Sequence, residues 1–315
     1  MMQRLPDDIV WRIGMDYAPD DRQHVIEKVR SVDRQWLNVG SAQFIRSVLI
    51  LADGDIDTVD RYVDTHDDDP RDVIMEAMAR TANQTFYGQR PFEGYVGELE
   101  KEQRRWMDQI ELVNRFTDVN TVAGVDVAYW NDEEGQEWGA CCIVIVDCHG
   151  QTVAGTAHKV GTVGVPYIPG YLAFRELPLI LETAADLAQQ PDVFMFDGNG
   201  YLHPRHMGIA TYASFSLGRP TVGVAKTFSR LKGLTYQMPE DRVGAYTLIS
   251  GDDAVYGAAV RTRAGVKPVF VSCGNWIDLE TAIKLTMGLV TMKSRIPLPL
   301  READLATRRL RRAEQ

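Results

Sequence analysis

Three carboxylates and one lysine in this chain sit where side chains can do chemistry. Asp126 lies inside a short apolar run, Thr121-Val122-Ala123-Gly124-Val125-Asp126-Val127-Ala128-Tyr129, and Asp197 closes a second one, Val193 to Phe196. Such runs read as buried strands. A carboxylate in one is costly unless it is paired, hydrogen-bonded or bound to a cation. Glu176 falls on a helix-like stretch between them, and Lys226 ends a third apolar run, Thr221 to Ala225. Three carboxylates from two strands and a helix can converge on hard divalent cations. Mg²⁺ takes oxygen ligands and keeps several waters, so few protein carboxylates suffice. Such a centre activates water and stabilises the leaving oxygen in phosphodiester cleavage, and a compact lysine beside it offsets charge developing on the phosphoryl group. Each acid alone reads as an ordinary strand-end or surface acid; together they read as a site.

The elements that must position these residues follow from periodicity and breakers. Residues 121–129, 139–146 and 153–159 read as consecutive strands with short turns, an antiparallel meander. A helix over 171–189, a strand over 192–197, a helix over 205–216 and a strand over 221–225 follow. Residues 243–249, 254–261 and 269–272 read as further strands and 278–292 as a helix, followed by a basic tail with Arg308, Arg309, Arg311 and Arg312, which reads most simply as a solvated helix end and otherwise as a phosphate-contacting arm. The sum is a mixed sheet flanked by helices. Ahead of it, apolar spacing predicts helices over 5–17, 21–37, 41–52, 73–88 and 94–115, with an acidic turn at Asp53-Gly54-Asp55-Ile56-Asp57. That turn lacks the glycine and the final glutamate of a calcium loop. The organisation read here is a helical extension over 1–92, a main domain over 93–307 and a basic tail over 308–315.

Between the first strands and Glu176 stands Pro166-Tyr167-Ile168-Pro169-Gly170. Two prolines fix φ and remove two backbone donors, so this piece is a stiff loop presenting an aromatic ring.

Composition narrows the classes. The chain is 45% hydrophobic and 25% charged with a net charge of −10, which fits a globular protein and argues against one that coats nucleic acid by general phosphate neutralisation. It does not exclude a nuclease, whose cations need only line a cleft. No run is long and apolar enough for a membrane span, and the opening MMQRLPDDIVWR reads as no signal peptide. Cys141, Cys142, Cys148 and Cys273 show no framework, which suggests buried thiols in a reducing, cytoplasmic setting, or a nuclear one in a eukaryotic or viral source.

Four motifs in order, VAGVDVAY with Tyr129 at its end, PYIPGYLAFRE (166–176), DGNGYLHPR (197–205) and TVGVAK (221–226), resemble the endonuclease V family, the deoxyinosine 3′ endonucleases. The resemblance covers about two thirds of the chain. It implies an RNase H-like fold and a Mg²⁺-dependent endonuclease, with Mn²⁺ able to substitute. Such an enzyme cuts DNA or RNA at the second phosphodiester 3′ to hypoxanthine and leaves 5′-phosphate and 3′-hydroxyl ends. By motif position it implies that Asp126, Glu176 and Asp197 bind metal, and that Tyr167, framed by Pro166, Ile168 and Pro169, is the wedge at the lesion. It gives Gly170, Leu172, Gly198 and Ile209 to the walls of the base pocket and puts His203 and Lys226 beside the scissile phosphate. These roles make physical sense: a flipped base leaves a hole that a rigid ring can fill, and hypoxanthine lacks the 2-amino group by which a tight pocket rejects guanine.

The chain departs from the family at Asn199, Tyr212 and Asn275, where histidines are common; the last implies a histidine near the metal replaced by asparagine. The opening Leu5-Pro6-Asp7-Asp8-Ile9, with Val32 and Trp36, faintly resembles an F-box, which would give residues 1–92 a protein partner. The expected protein is a monomer without membrane association. The alternatives are an inosine-binding protein of weakened activity, targeted by its N-terminal module, and another RNase H-like structure-specific nuclease.

Overall fold

The computed structural model describes residue 5 and residues 7–32, 41–64, 69–80, 90–132, 137–163, 167–229, 231, 233–251 and 254–314. The chain divides into two compact units, residues 1–98 and 99–315.

The first unit is helical: α1 (Asp7–Asp16), α2 (Pro19–Arg30), α3 (Ser41–Ala52), α4 (Ile56–Asp64) and α5 (Pro70–Arg80). Ile9, Ile13, Val25, Val29, Phe44, Val48, Leu49, Val59 and Ile74 form its interior. Helix α2 starts on a proline, with Asp20 and Asp21 in its first turn and Lys28 and Arg30 in its last, so each end carries the charge its dipole favours. Helix α4 was not expected. Asp53 and Gly54 take positive φ, 48° and 88°, and the Asp55 Oδ2 accepts from Thr58 N at 3.1 Å. The acidic turn therefore caps a helix. Of the F-box-like positions, Leu5 is buried, while Pro6 and Trp36 lie outside the described residues.

Helix α6 (Arg90–Met107) leads into the second unit. It stops short of the expected 115 because the chain beyond it pairs elsewhere: Trp276 N donates to Glu111 O at 2.7 Å and Arg115 N to Trp276 O at 3.2 Å. Strands β1 (Thr121–Asn131), β2 (Glu137–Asp147) and β3 (Thr152–Thr162) form the meander. Helix α7 (Leu172–Ala185), β4 (Val193–Phe196), α8 (Ile209–Leu217) and β5 (Thr221–Ala225) follow. Then come β6 (Tyr246–Ser250), β7 (Val255–Val260), β8 (Val269–Asn275), α9 (Leu279–Gly288) and α10 (Leu298–Glu314). The sheet order is β3-β2-β1-β4-β5-β8-β7-β6. Strands β1, β4 and β5 run parallel, and the pairs β1–β2, β2–β3, β5–β8, β8–β7 and β7–β6 are antiparallel. This is the expected mixed sheet between helical layers.

Two corrections bear on the site. The basic tail is the end of a helix, as read, but that helix is α10, which begins ten residues earlier than the tail, at Leu298, in a stretch not read as helical. The expected helix over 205–216 begins only at Ile209, after turns in which His206 takes φ 55°.

Each face of the sheet has its own core. Val125, Ile143, Phe194 and Phe196 pack under α7 and α8, while Val122, Val144, Val224 and Val271 pack under α9 and α10.

Candidate active site

Strand alternation sends Val125 and Val127 toward the α7 and α8 layer, so Gly124 and Asp126 face α10. Gly124 is the reason α10 can lie there. A Cβ on it would stand 2.2 Å from Pro299 C and 2.3 Å from Pro299 O. The first turn of α10 thus rests on bare backbone, and the helix runs on past Asp126. The Thr307 hydroxyl donates to Asp126 Oδ2, and Asp304 comes from the preceding turn.

Asp197 arrives through the parallel pairing of β4 with β1. Val125 faces Phe196 in that register, so Asp126 and Asp197 are the next pair along. One ligand atom from each of Asp126, Asp197 and Asp304 lies within 4.8 Å of the others. Lys226, just beyond β5, places Nζ 2.5 Å from Asp197 Oδ2 and 3.3 Å from Asp304 Oδ1. Arg308 reaches Asp304 Oδ1 at 3.0 Å. Burial, with the charge of Asp197 adding to it, raises the Asp126 carboxyl to about 6, against the pull of Thr307.

Glu176 comes from α7, across the sheet. Its Oε1 accepts from Tyr129 OH at 2.7 Å. Burial raises it to about 8; the Tyr129 hydrogen bond opposes this and the charge of Asp126 adds to it. It stands near enough to feel both aspartates but is not one of the three acids that share the 4.8 Å cluster. Three hard oxygen donors with a fourth acid close by suit a divalent cation. The Lys226 ammonium, lodged between two of these carboxylates, already pairs the cluster with positive charge.

A second group of residues holds the loops around this centre. Gly170, at φ 81°, offers its carbonyl to three donors: Gln103 Nε2 at 2.9 Å, His203 Nε2 at 3.0 Å and an Arg205 guanidinium nitrogen at 3.1 Å. Gln103 is fully buried and accepts from Arg205 Nε at 2.6 Å. The His203 Nδ1 accepts from Arg205 N and Met207 N at 3.2 and 3.3 Å, so Nε2 carries the proton. Burial, then the Arg205 charge, lowers this histidine to about 3. Both ring nitrogens are thus engaged within the protein, tying the 201–207 turns to the loop before α7. In that loop Tyr167 is partly exposed, Ile168 and Pro169 are buried, and Pro166 lies outside the described residues. Leu172 opens α7 half-buried. Gly198 touches Ile209: a Cβ there would stand 2.9 Å from Ile209 Cγ2.

A family model for Endonuclease V matches residues 104–305. The chain belongs to the Endonuclease V family. Endonuclease V of Bacillus subtilis (strain 168) is 49% identical over 228 residues, covering 70% of this chain and 95% of that protein. A crystal structure of Endonuclease V from Bacillus subtilis superposes with a TM-score of 0.67 at 49% identity, over 70% of this chain and 93% of its own. A crystal structure of Ciona intestinalis Endonuclease V, in complex with a 24mer DNA containing an inosine followed by a ribo-adenosine, has a TM-score of 0.62 at 26% identity. It covers 71% of this chain and 100% of that one. The fold is therefore the RNase H-like fold of Endonuclease V, and the chain is a nuclease by family.

Of the residues that resemblance to Endonuclease V assigned to the site, Asp126, Asp197 and Lys226 come together and Glu176 lies beside them. Asn275 does not lie near them. Strand β8 runs antiparallel to β5, so Asn275 pairs with Thr221 at the end of β5 remote from Lys226. There its Oδ1 accepts from Glu111 N at 2.7 Å. Asp304, Thr307 and Gln103 were not foreseen. Asp304 stands just ahead of the basic tail, in a stretch given no secondary structure, and no apolar run marks it. The signal that could have found α10 is Leu300, Ala303 and Thr307, buried at helical spacing. For Gln103 no such signal exists, since only its partners distinguish it from the polar residues around it.

Proposed function

We propose that the protein hydrolyses nucleic-acid strands at the second phosphodiester 3′ to a hypoxanthine base, using Mg²⁺ or Mn²⁺ held by Asp126, Asp197 and Glu176 with Asp304 as a further ligand. The observation that carries this is the cluster of three carboxylates on an Endonuclease V sheet, with Lys226 among them. The Ciona relative's complex with inosine-containing DNA supports the substrate class.

The bound metal would supply Lewis-acid polarisation of the phosphoryl oxygen and a more acidic water. Lys226 contributes a fixed positive charge beside Asp197, where it offsets charge on the phosphoryl oxygens. In the reaction a water oxygen bonds to phosphorus and the P–O3′ bond breaks. The 3′-oxygen leaves with a proton, giving 5′-phosphate and 3′-hydroxyl ends. Tyr167, on a loop anchored by Ile168 and Pro169, fills the space of the extruded base. The Gly170 and Gly198 backbones, with Leu172 and Ile209, wall the pocket for hypoxanthine.

The test is nicking of matched inosine and guanosine oligonucleotides, DNA and RNA, with Mg²⁺ and with chelator. We expect cutting only of the inosine strand and only with metal. Asp126→Asn and Asp304→Asn should each lower the rate by at least about 100-fold, roughly 2.7 kcal/mol of barrier, with unchanged thermal melting. Equal cutting of the guanosine strand would overturn the assignment of substrate, and undiminished turnover by Asp304→Asn would remove that residue from the centre.

A further inference from the structure

The acids pose an electrostatic problem that metal alone does not solve. Three carboxylates within 4.8 Å, in a protein of net charge −10, repel the flanking phosphates of any strand that enters. Those phosphates need cations of their own, close to the centre but outside it.

Helix α10 carries such cations. Residues 305–312, Leu-Ala-Thr-Arg-Arg-Leu-Arg-Arg, hold four arginines and no acid. At 3.6 residues per turn, Asp304, Arg308 and Arg311 stand at i, i+4 and i+7 and share one flank of the helix, and Arg312 borders it. Arg308 already touches Asp304 at 3.0 Å. The side chain of Arg311 is half-buried, and its Nε is shielded from solvent without a hydrogen-bond partner. Among the described residues, neither Arg311 nor Arg312 forms an ion pair. The rise of an α-helix puts Arg308 roughly 6 Å, and Arg311 roughly 10 Å, beyond Asp304 along the axis. That is the scale of the next few phosphates, spaced about 3.4 Å along the axis of a stacked strand. The helix dipole explains basic residues in a final turn. It does not explain Arg308, which lies between the metal cluster and that turn.

We propose that Arg308, Arg311 and Arg312 form a track that binds the phosphates of the strand being cut, leading away from the acids along α10. The proposal rests on the nuclease reading above. Contacts of this kind position the strand and carry no sequence information.

The experiment measures affinity for single-stranded inosine and guanosine oligonucleotides across a salt series, with Ca²⁺ in place of Mg²⁺. Variants are Arg311→Gln/Arg312→Gln, Arg308→Gln, and the same positions changed to lysine. Each lost phosphate contact should reduce the slope of log affinity against log salt by about 0.7, so about 1.4 for the double variant. Both oligonucleotides should weaken by the same factor, and the lysine variants should keep the wild-type slope. Arg312→Glu, at an exposed position, serves if the double variant melts early, and should lower the slope further than loss of one contact alone. An unchanged slope in stably folded glutamine variants overturns the track, as does a loss confined to the inosine strand. The slope requires neither a hypoxanthine base nor cutting. Failure of the wild-type protein to nick inosine strands would therefore sink the nuclease reading while the salt series still decides the track.

Discussion

Two side chains illustrate how the same loop region divides its work. Tyr167 is partly exposed in a loop whose next two residues, Ile168 and Pro169, are buried, and an aromatic held on so anchored a loop spends little entropy on entering a base stack. Tyr167→Ala should cost about 1–3 kcal/mol of binding to inosine duplex, roughly a five- to 150-fold loss, and less on single strands, whose bases are already unpaired. Tyr167→Phe should bind as wild type. Equal duplex affinities for wild type and Tyr167→Ala, read in Ca²⁺, would remove the wedge role. His203 does the opposite job and holds the loop down. Its folded value of about 3 lies below the ordinary 6.5, so between those pH values the unfolded chain binds a proton that the folded chain refuses. Its contribution is complete above about pH 6.5 and declines as pH falls toward 3, by at most about 1.4 kcal/mol per unit. Urea midpoints of wild type and His203→Gln should therefore converge as the solution is acidified. Parallel curves would count against this role.

At the scale of elements, the seating of α10 on β1 decides whether the centre exists. Gly124→Ala would press a methyl group into the Pro299 backbone, 2.2 Å away, and backbone cannot rotate aside. Overpacking of this kind costs about 1–3 kcal/mol, and displacing Asp304 by about 1 Å can cost on the order of 100-fold in rate. Gly155→Ala, whose Cβ would meet Ile145 at an ordinary 3.5 Å, is the control. Thermal melting and nicking measured together should show activity lost out of proportion to stability in Gly124→Ala alone. The legibility of the sequence follows the same geometry. Asp126 and Asp197 could be read because each interrupts or ends an apolar run that must be buried. The mixed sheet could be read because its strands are apolar and its turns short. The part of α10 ahead of its basic end escaped because Ala303 and Thr307, which with Leu300 form its buried face, are small and leave a thin apolar stripe. Helix α4 escaped because an acidic turn and an acidic N-cap look alike until the next turn is built.

At the scale of the whole molecule, every residue placed in the centre or its supporting loops, from Gln103 to Arg312, lies in the unit spanning 99–315. A protein shortened to begin at residue 90, which keeps α6 entire, should therefore fold and nick inosine strands at a rate near that of the full chain. Aggregation or inactivity of the shortened protein would make the helical unit a part of the nuclease. Residues 1–92 hold 17 acidic against 11 basic side chains, a balance unsuited to gripping phosphates.

The hydrogen bond from Thr307 to Asp126 joins residues 181 apart in sequence. During synthesis, Asp126 and Asp197 leave the ribosome long before Asp304 has been made. If Asp304 belongs to the centre as proposed, no nascent or prematurely terminated chain that stops short of it owns a full set of ligands. Asp126 and Asp197 then form an incomplete set of ligands until α10 has been made and docks on β1. The order of translation thus makes the centre one of the last features of its unit to be completed.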